Sequence, residues 1–249
     1  MRNYPKLTVT EKAEKLLRGG HVWVYGDEIT AAEGAPEDGA LADVFSGKGK
    51  YLGTGFYNSH SKIRVRIISK NTNDTFDEKF WERRLSYAVA YRKTVMEDGD
   101  FRCCRLIFGE ADQFPGLTVD RFDNILVAEV LSLGIEKIKG MLFPALVRIL
   151  REMGEEIDGI YERNDSPIRK LEGMETGCGF FPLPGLPDPE SGMTAITENG
   201  IRYFVDVVNG QKTGFFLDQK YNRLAMQRIC KGKRVLDCFT HMGTFALNA

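Results

Sequence analysis

The stretch VLDCFTHMGTFALNA, Val235–Ala249, predicts a buried strand, then a tight turn and the first residues of a helix. Val235 and Leu236 are apolar, Asp237 ends the predicted strand with a carboxylate, and Gly243 lies where the helix begins. A glycine at such a point lets the backbone approach a ligand, and the helix start offers free N–H groups. The pattern is typical of a site for a nucleotide-like cofactor.

The turn also restricts the kind of cofactor. The dinucleotide-binding fingerprint has three glycines, and here Phe239 and His241 occupy the first two of those places. The turn therefore disfavours a pyrophosphate and is compatible with a ligand that lacks phosphates, such as S-adenosylmethionine. Taken alone, the stretch fits an ordinary strand–turn–helix equally well.

A second motif precedes it, NGQKTGFFLDQKYNR at Asn209–Arg223. It is not a phosphate-binding Walker loop, because that loop needs a glycine immediately before its lysine, and Gln211 precedes Lys212. Five polar residues lie close together at the start of a predicted helix: Asp218, Gln219, Lys220, Asn222 and Arg223. By themselves they would fit a capped, solvated helix.

Earlier segments divide the chain further. Short strands broken by glycine turns predict a small β-barrel with one helix over residues 1–72. A helix from Phe76 to about Val95 follows, capped by Asp74 or Thr75, and mixed strands and helices predict a central α+β domain over 73–190. Asn199 and Gly200 predict a β-hairpin turn within 191–208. Residues 209–249 start a further unit, so the fold class is α+β multidomain.

Composition narrows the function classes. The chain has 249 residues, 43% of them hydrophobic, with neither a bilayer-length apolar run nor a signal-peptide core. Five cysteines without framework spacing favour a reduced, cytoplasmic setting, and with only three histidines we expect no metal site. The net charge of −1 gives no bulk argument for nucleic acid, so such a partner needs a local patch.

The sequence has one local patch of basic residues that could bind nucleic acid. Residues 48–70 contain six basic side chains and no acidic one: Lys48, Lys50, Lys62, Arg64, Arg66 and Lys70. Strand alternation places Lys62, Arg64 and Arg66 on one face, where they could follow phosphates. The pattern alone favours the plainer alternative, a solvated outer face of the barrel.

The two C-terminal motifs together are more specific than either one. GQKTGFFLDQKYNR followed by VLDCFTHMGTFALNA resembles the class I S-adenosylmethionine-dependent methyltransferases that modify cytosine C5 in large-subunit ribosomal RNA. GEADQFPGLTVDRF, YERND, EGM and HVWVYGDEI extend the resemblance over essentially the whole chain. It implies an RNA-binding PUA domain, a central α/β domain, a β-hairpin and the start of a Rossmann-like methyltransferase domain.

The resemblance also implies site residues. Phe215, Asp218, Lys220, Asp237, Cys238, Phe239 and Gly243 would bind S-adenosylmethionine, with Lys220 as partner of the methionine carboxylate. Lys220 replaces the family's usual arginine, which puts a bidentate role in doubt. Lys48, Lys50, Lys62, Arg64 and Arg66 would contact RNA.

The implied chemistry is covalent. A cysteine thiolate adds to C6 of cytosine and makes C5 nucleophilic enough to accept the methyl group. In the family this cysteine lies beyond the position that corresponds to residue 249. We therefore expect a chain truncated early in the methyltransferase domain and inactive alone, with Cys103, Cys104, Cys178, Cys230 and Cys238 as incidental thiols.

Other functions stay open at this point. The main alternative is a non-catalytic RNA-binding protein that uses only the PUA and central domains. A third is an oxidoreductase with a degenerate nucleotide site, which the residues Phe239 and His241 disfavour. The expected partner is ribosomal RNA and not a membrane, and a homodimer is one option for the assembly.

Overall fold

A computed structural model describes residues 3–249, with the side chain of Asp98 left aside. The N-terminal unit is a six-stranded sheet whose order is β2-β6-β5-β4-β1-β3. β1 and β4 are parallel, and the other neighbours are antiparallel. Its strands are β1 (Lys6–Val9), β2 (Trp23–Tyr25), β3 (Ile29–Glu33), β4 (Leu41–Ser46), β5 (Tyr51–Tyr57) and β6 (Ile63–Ser69).

Helix α1 (Glu11–Arg18) completes this unit and begins at Thr10, whose hydroxyl accepts a hydrogen bond from the Ala13 N–H. Ala13 and Leu17 face inward and join the apolar side chains of the strands in one core. Among the pairings of residues 3–249, the edge strands β2 and β3 do not pair with each other. Closure into a barrel therefore stays a prediction.

Helix α2 (Glu78–Val95) follows the linker and starts later than the sequence predicts. Asp77 is its cap, and its carboxylate accepts from the Phe80 N–H at 2.9 Å. The prediction of Asp74 or Thr75 as the cap was wrong. The Asp74 carboxylate instead accepts from Ser69 Oγ and Asn71 Nδ2, which closes the linker onto the end of β6.

The central unit is a five-stranded sheet of order β11-β10-β9-β8-β7. Only β9 and β10 are parallel, and helix α4 (Leu133–Glu152) joins them. Helices α2 and α4 pack against each other and share one apolar core with the sheet. The strands are β7 (Cys103–Phe108), β8 (Leu117–Phe122), β9 (Ile125–Val130), β10 (Gly159–Asn164) and β11 (Gly177–Phe180), with short helices α3 (Asp98–Phe101) and α5 (Ile168–Leu171).

Strands β12 (Met193–Glu198) and β13 (Ile201–Asp206) form an antiparallel hairpin. Its turn is Asn199–Gly200, and both residues have positive φ, at 53° and 80°, as a tight two-residue hairpin requires. Ile196, Tyr203 and Val205 pack against side chains of the central sheet in a separate core cluster. The sheet is thus covered by helices in one core and by the hairpin in another.

The C-terminal segment carries helices α6 (Lys220–Cys230) and α7 (Thr244–Asn248). The prediction of a strand at Val235–Asp237 was wrong, because these residues have no regular structure and Leu236 is 86% exposed. A parallel strand is stable only when neighbouring strands bond it and both its faces are covered. In the described part of the chain, no strand pairs with residues 235–237.

Candidate functional site

The segment that follows the hairpin is anchored on the central sheet through Thr213. Its hydroxyl donates to Asp120 Oδ2 at 2.7 Å, and the Arg105 guanidinium binds the same carboxylate through Nε and Nη2 at 2.7 and 3.0 Å. Asp120 is only 1% exposed, so two donors satisfy a buried charge. This contact fixes the middle of the GQKTG motif.

Two glycines of that motif are required by close backbone approach. A Cβ on Gly210 would lie 2.3 Å from the carbonyl oxygen of Asp206. A Cβ on Gly214 would lie 2.7 Å from Val205 Cγ1, and this residue also has a φ of 127°. Only glycine therefore lets the loop pack against the end of β13.

Arg223 holds the start of α6 against the hairpin. Its guanidinium donates to both carboxylate oxygens of Glu198, at 2.5 and 2.8 Å, and both side chains are almost fully buried. The guanidinium also lies 4.8 Å from the centre of the Phe215 ring. The sequence offers one signal for this pair, since Glu198 occupies an inward position in the alternation of β12 next to the turn.

Lys220, the predicted partner of the methionine carboxylate, is buried as well and has partners within the chain. Its ammonium donates to Asp100 Oδ1 and to the Cys103 carbonyl, both at 2.9 Å, and the residue is 5% exposed. In this arrangement two of the three donor hydrogens of the ammonium are engaged within the chain. Asp100, which accepts this bond, was not identified from the sequence.

Lys220 and two more of the predicted cofactor residues do line one cavity of about 510 Å³. Its walls come from β7, β8, the segment 212–221 and Met96 at the end of α2, and they combine apolar and charged side chains. Among them are Met96, Arg105, Phe108, Asp120, Lys212, Phe215, Phe216, Asp218 and Tyr221. The cavity is large enough for a small organic ligand, but Asp237, Cys238, Phe239 and Gly243 do not line it.

Those four residues lie on the exposed turn before α7. Cys238 is exposed, and Phe239 is as exposed as in an extended chain, at 101%. The Asp237 carboxylate accepts from the Ala246 N–H at 3.2 Å, and Gly243 begins α7 with a φ of 71°. The turn approaches the cavity wall at His241, whose ring lies 5.2 Å from that of Phe216.

Two residues of this turn that are not glycine have positive φ angles. Phe239 and His241 have φ values of 65° and 52°, a conformation that is uncommon for residues other than glycine, although histidine adopts it more often than phenylalanine does. Backbone strain at non-glycine residues commonly accompanies a functional loop. The two places where a dinucleotide fingerprint has glycine therefore keep the left-handed geometry.

The cysteines near the cavity are poor nucleophiles. Burial raises the pKa of the Cys103 thiol and of the Cys104 thiol to about 12. At neutral pH both are therefore almost entirely protonated, and the thiolate is the reactive form. Burial also raises the pKa of Cys178, although that residue is exposed on β11.

The predicted RNA-contacting residues separate into two groups. Lys48, Lys50 and Lys62 are exposed, whereas Arg64 is half-buried and donates to the backbone carbonyls of Asn58 and Ser59. Arg66 is buried and donates to Glu172 Oε1 at 2.7 Å. The prediction that Arg66 belongs to an exposed basic face was wrong, because the central unit covers β6 at that point.

Glu172 is the centre of this contact between the two units. It is 4% exposed, and its carboxylate accepts from Arg66, from Ser61 Oγ and from Asn58 Nδ2. Its backbone carbonyl also accepts from Asn58 Nδ2 at 2.9 Å. Four hydrogen bonds to a buried residue fix how the N-terminal sheet sits on the central unit.

Comparison with known proteins agrees with this organisation. Residues 7–70 match a family model described as a PUA-like domain. The chain is 39% identical to the ribosomal RNA large subunit methyltransferase I of Pseudoalteromonas translucida over 95% of its length, and 37% identical to that of Klebsiella pneumoniae over 99%. It spans 57% and 59% of these two relatives.

Two solved structures share the fold at 22% identity. A candidate SAM-dependent methyltransferase from Streptococcus mutans has a TM-score of 0.75, and SMU.776, a candidate methyltransferase in complex with SAH, has 0.77. Each superposition covers 98% of this chain and about 60% of the other, 60% and 59% respectively. The relatives at 37–39% identity confirm the resemblance to ribosomal RNA methyltransferases over nearly the whole chain.

Proposed function

We propose that this chain, a relative of the ribosomal RNA large subunit methyltransferase I family, acts in the S-adenosylmethionine-dependent methylation of large-subunit ribosomal RNA. The observation that carries the proposal is similarity at 37–39% identity along 95–99% of the chain, together with the PUA-like match at residues 7–70. A similarity this continuous extends through both C-terminal motifs and through the central unit between them.

The finer proposal is that the product is 5-methylcytosine and that the reaction takes place in the cytoplasm. Methyl transfer to C5 needs a thiolate that adds to C6 and a base that later removes the C5 proton. Cys103 and Cys104 are poor candidates for that role, because burial raises the pKa of each thiol to about 12. Both residues line the cavity beside Phe215 and Asp218, so it is the protonated state of their thiols that disfavours them as nucleophiles.

The residues of the chain fit S-adenosylmethionine in part. Phe215 and Asp218 offer an apolar wall and a carboxylate in the cavity, while Asp237 and Gly243 lie on the neighbouring turn. S-adenosylmethionine would supply the methyl group. We propose that it binds between the cavity wall and this turn, whose contact point is His241 against Phe216. Lys220 then acts indirectly, because its bonds to Asp100 and Cys103 hold the wall in place.

RNA binding is assigned to the exposed basic residues of the N-terminal sheet. Lys48 and Lys50 lie in the turn between β4 and β5, and Lys62 precedes β6. Exposed lysines bind phosphates as point charges and release counterions when they do so. Arg66 contributes differently, since its bond to Glu172 orients this sheet relative to the central unit.

One observation favours a second candidate, a non-catalytic RNA-binding protein. The turn residues Leu236 and Phe239 are 86% and 101% exposed and form no cavity with Phe215 and Asp218. A protein that only binds RNA would need no further closure of this region. Calorimetric titration with S-adenosylmethionine separates the candidates, because only the methyltransferase binds it, and Asp218→Ala should weaken that binding.

The RNA arm of the proposal is tested by the salt dependence of binding. Replacing Lys48, Lys50 and Lys62 by alanine should reduce the slope of log K against log salt by about 2 for single-stranded RNA. A matched triple variant at Lys231, Lys233 and Arg234, which are also exposed, should leave the slope unchanged. Equal slopes in wild type and both variants would remove the N-terminal sheet from the RNA interface.

A further inference from the structure

The outer face of α2 carries an exposed row of arginine and tyrosine. Arg83, Tyr87 and Tyr91 follow one another at four-residue spacing, so their side chains lie on one face of the helix. Tyr87 is 65% exposed and Tyr91 is 58% exposed. The opposite face of the same helix is buried in the central core through Phe80, Trp81, Leu85 and Val89, so packing does not explain the outer row.

Arg83 and Arg84 lie at the N-terminal end of this row and line the same cavity. Arg84 lines a cavity of about 350 Å³ with Arg83 and Tyr87, and its guanidinium carbon lies 4.3 Å from the centre of the Phe80 ring. Arg83 lies 5.6 Å from the same ring. Arg84 donates through Nη1 to the Gln113 carbonyl at 3.0 Å, which leaves its other donors for a ligand.

Neither arginine is neutralised within the described residues, where no carboxylate lies within 4.0 Å of either guanidinium. The two acidic residues that line this cavity accept hydrogen bonds from other groups. Asp74 accepts from Ser69 and Asn71, and Asp112 accepts from both terminal nitrogens of Arg92. The pKa of Arg84 is lowered to about 10, chiefly by burial; the charge of Asp74 opposes this shift, and the smaller effect of the charge of Arg83 adds to it. Asp74 compensates the positive charge of Arg84 in part, and an anion bound beside Arg83 and Arg84 would add to that compensation.

The row continues to the cavity beside the cofactor segment. Arg92 lies 5.1 Å from the Tyr91 ring centre, and its Nε donates to the carbonyl of Arg105, a residue of that second cavity. Phe108, 55% exposed, lines the second cavity, and its N–H donates to Asp112 of the first. Arg92 and Asp112 therefore join the two cavities through direct contacts.

We propose that a single-stranded RNA segment binds along this face of α2, with a phosphate at Arg83 and Arg84 and bases stacked on Tyr87 and Tyr91. The inference rests on the proposed function and adds a second RNA surface to it, separate from the lysines of the N-terminal sheet. The strand would lead from the linker toward the cavity lined by Phe108 and Asp218.

The chemistry of the face favours RNA over a protein partner. Four residues of helix span about 6 Å, which places Tyr87 and Tyr91 far enough apart to stack separate bases of an extended strand. Stacking on aromatic rings and contact with arginine are the usual means of binding single strands without sequence preference. Tyrosine and arginine also occur at protein interfaces. The feature that favours a phosphate chain here is the adjacent pair Arg83 and Arg84, for which the described residues supply no carboxylate within 4.0 Å.

The test measures RNA affinity in variants of the full chain. Tyr87→Ala and Tyr91→Ala should each weaken binding of a single-stranded oligonucleotide about tenfold, and Arg83→Gln with Arg84→Gln should also lower the salt slope by about 1 to 2. The matched control is the pair Arg202 and Phe204 on β13, where an exposed arginine also lies over an exposed ring, at 5.4 Å. Phe204→Ala and Arg202→Gln should leave RNA binding unchanged.

Photocrosslinking gives a readout that does not depend on the stability of the variants. An oligonucleotide with 4-thiouridine should crosslink to a peptide that contains Tyr87 or Tyr91. Wild-type affinity in both tyrosine variants, with binding lost only in the lysine triple variant, would overturn this inference and leave the proposed function standing. No RNA binding by wild type would overturn both. A tyrosine variant that changes the oligomeric state and not the RNA affinity would assign the face to a second copy of the chain and overturn the inference.

Discussion

Two consecutive segments near the end of the chain are held in different ways. Residues 209–230 are fixed by buried side-chain contacts, of Thr213 with Asp120, Lys220 with Asp100 and Arg223 with Glu198. Residues 231–243 have no regular structure and expose Leu236 and Phe239 almost completely. The difference shows that the first segment finds its partners in the central unit and hairpin, whereas a strand–turn–helix needs neighbouring strands that the described residues do not supply.

The contrast bears directly on function. The anchored segment brings Phe215 and Asp218 into a cavity. The turn at Asp237–Gly243 is largely exposed, and we therefore expect it to change its position at little energetic cost. A cofactor that binds between them therefore meets one rigid wall and one adjustable wall.

The largest effect should come from matched phenylalanine variants. Phe215 is 3% exposed and Phe239 is 101% exposed, so Phe215→Ala should lower the free energy of unfolding by about 3–5 kcal/mol. Phe239→Ala should change it by less than about 0.5 kcal/mol. Urea unfolding measures both free energies. Similar losses in the two variants would contradict the contrast between the anchored segment 209–230 and the exposed segment 231–243.

Glu198→Gln should have the next largest effect. It leaves the buried Arg223 guanidinium without its counter-charge, and we expect a loss of about 2–3 kcal/mol in the free energy of unfolding. The control is Glu152→Gln, since the pair of Glu152 with Arg148 is half-exposed and should contribute less than about 1 kcal/mol. An effect of Glu198→Gln no larger than that of the control would mean that α6 is held by other contacts.

Thr213→Val should cost about 1–2 kcal/mol, because the buried Asp120 carboxylate loses one donor while the volume of the side chain is kept. Thr213→Ser retains the hydroxyl and is the matched control. If the loop is held by this bond, limited proteolysis between residues 209 and 216 should be faster in the valine variant only. Equal cleavage of both variants would assign the anchoring to the glycine contacts alone.

The smallest effect concerns how the free energy of unfolding depends on pH through Asp206, the last residue of β13. Hydrogen bonds from Asn209 and Val208 lower the pKa of Asp206 below its usual 3.8, with the backbone N–H of Asn209 as the largest cause. A lowered pKa stabilises the fold above pH 3.8, and this contribution is lost as the pH falls through the folded-state pKa. Asp206→Asn should remove this part of the pH dependence, less than about 1 kcal/mol because solvent screens the group.

The exposed Asp188 serves as a control for that measurement. Stability of wild type, Asp206→Asn and Asp188→Asn is compared at pH 6 and at pH 3 by urea unfolding. A difference between the two pH values that is the same in Asp206→Asn as in wild type would contradict the assignment.

Much of the fold could be predicted because it depends on local patterns. Asn199–Gly200 lies at the turn between β12 and β13, as the sequence predicts. β10 spans Gly159–Asn164 within the predicted central domain. These elements follow from turn chemistry and from alternation. Side-chain alternation also placed Arg66 on one face of β6, but it could not show that Glu172, more than a hundred residues later, covers that face.

The candidate site was harder to predict for the same reason. Lys220 and Phe215 do line the cavity, yet the partners that bury Lys220 come from α3 and β7 through contacts that no local pattern reveals. Val235–Asp237 has the composition of a buried strand, and only the tertiary surroundings decide whether it becomes one. The PUA-like region and the central unit were predictable, whereas the relation between the two C-terminal motifs was not.

Hydrogen–deuterium exchange, measured with and without S-adenosylmethionine, tests most directly whether one wall of the cofactor site is fixed and the other is adjustable. Without the ligand, amides of α6 (Lys220–Cys230) should exchange slowly and those of residues 235–243 should exchange fast, because the latter lack regular hydrogen bonds. Saturating S-adenosylmethionine should slow exchange in residues 236–243 and leave α6 nearly unchanged. Equally slow exchange in both segments before the ligand is added, or no slowing at residues 236–243 after it, would contradict the account.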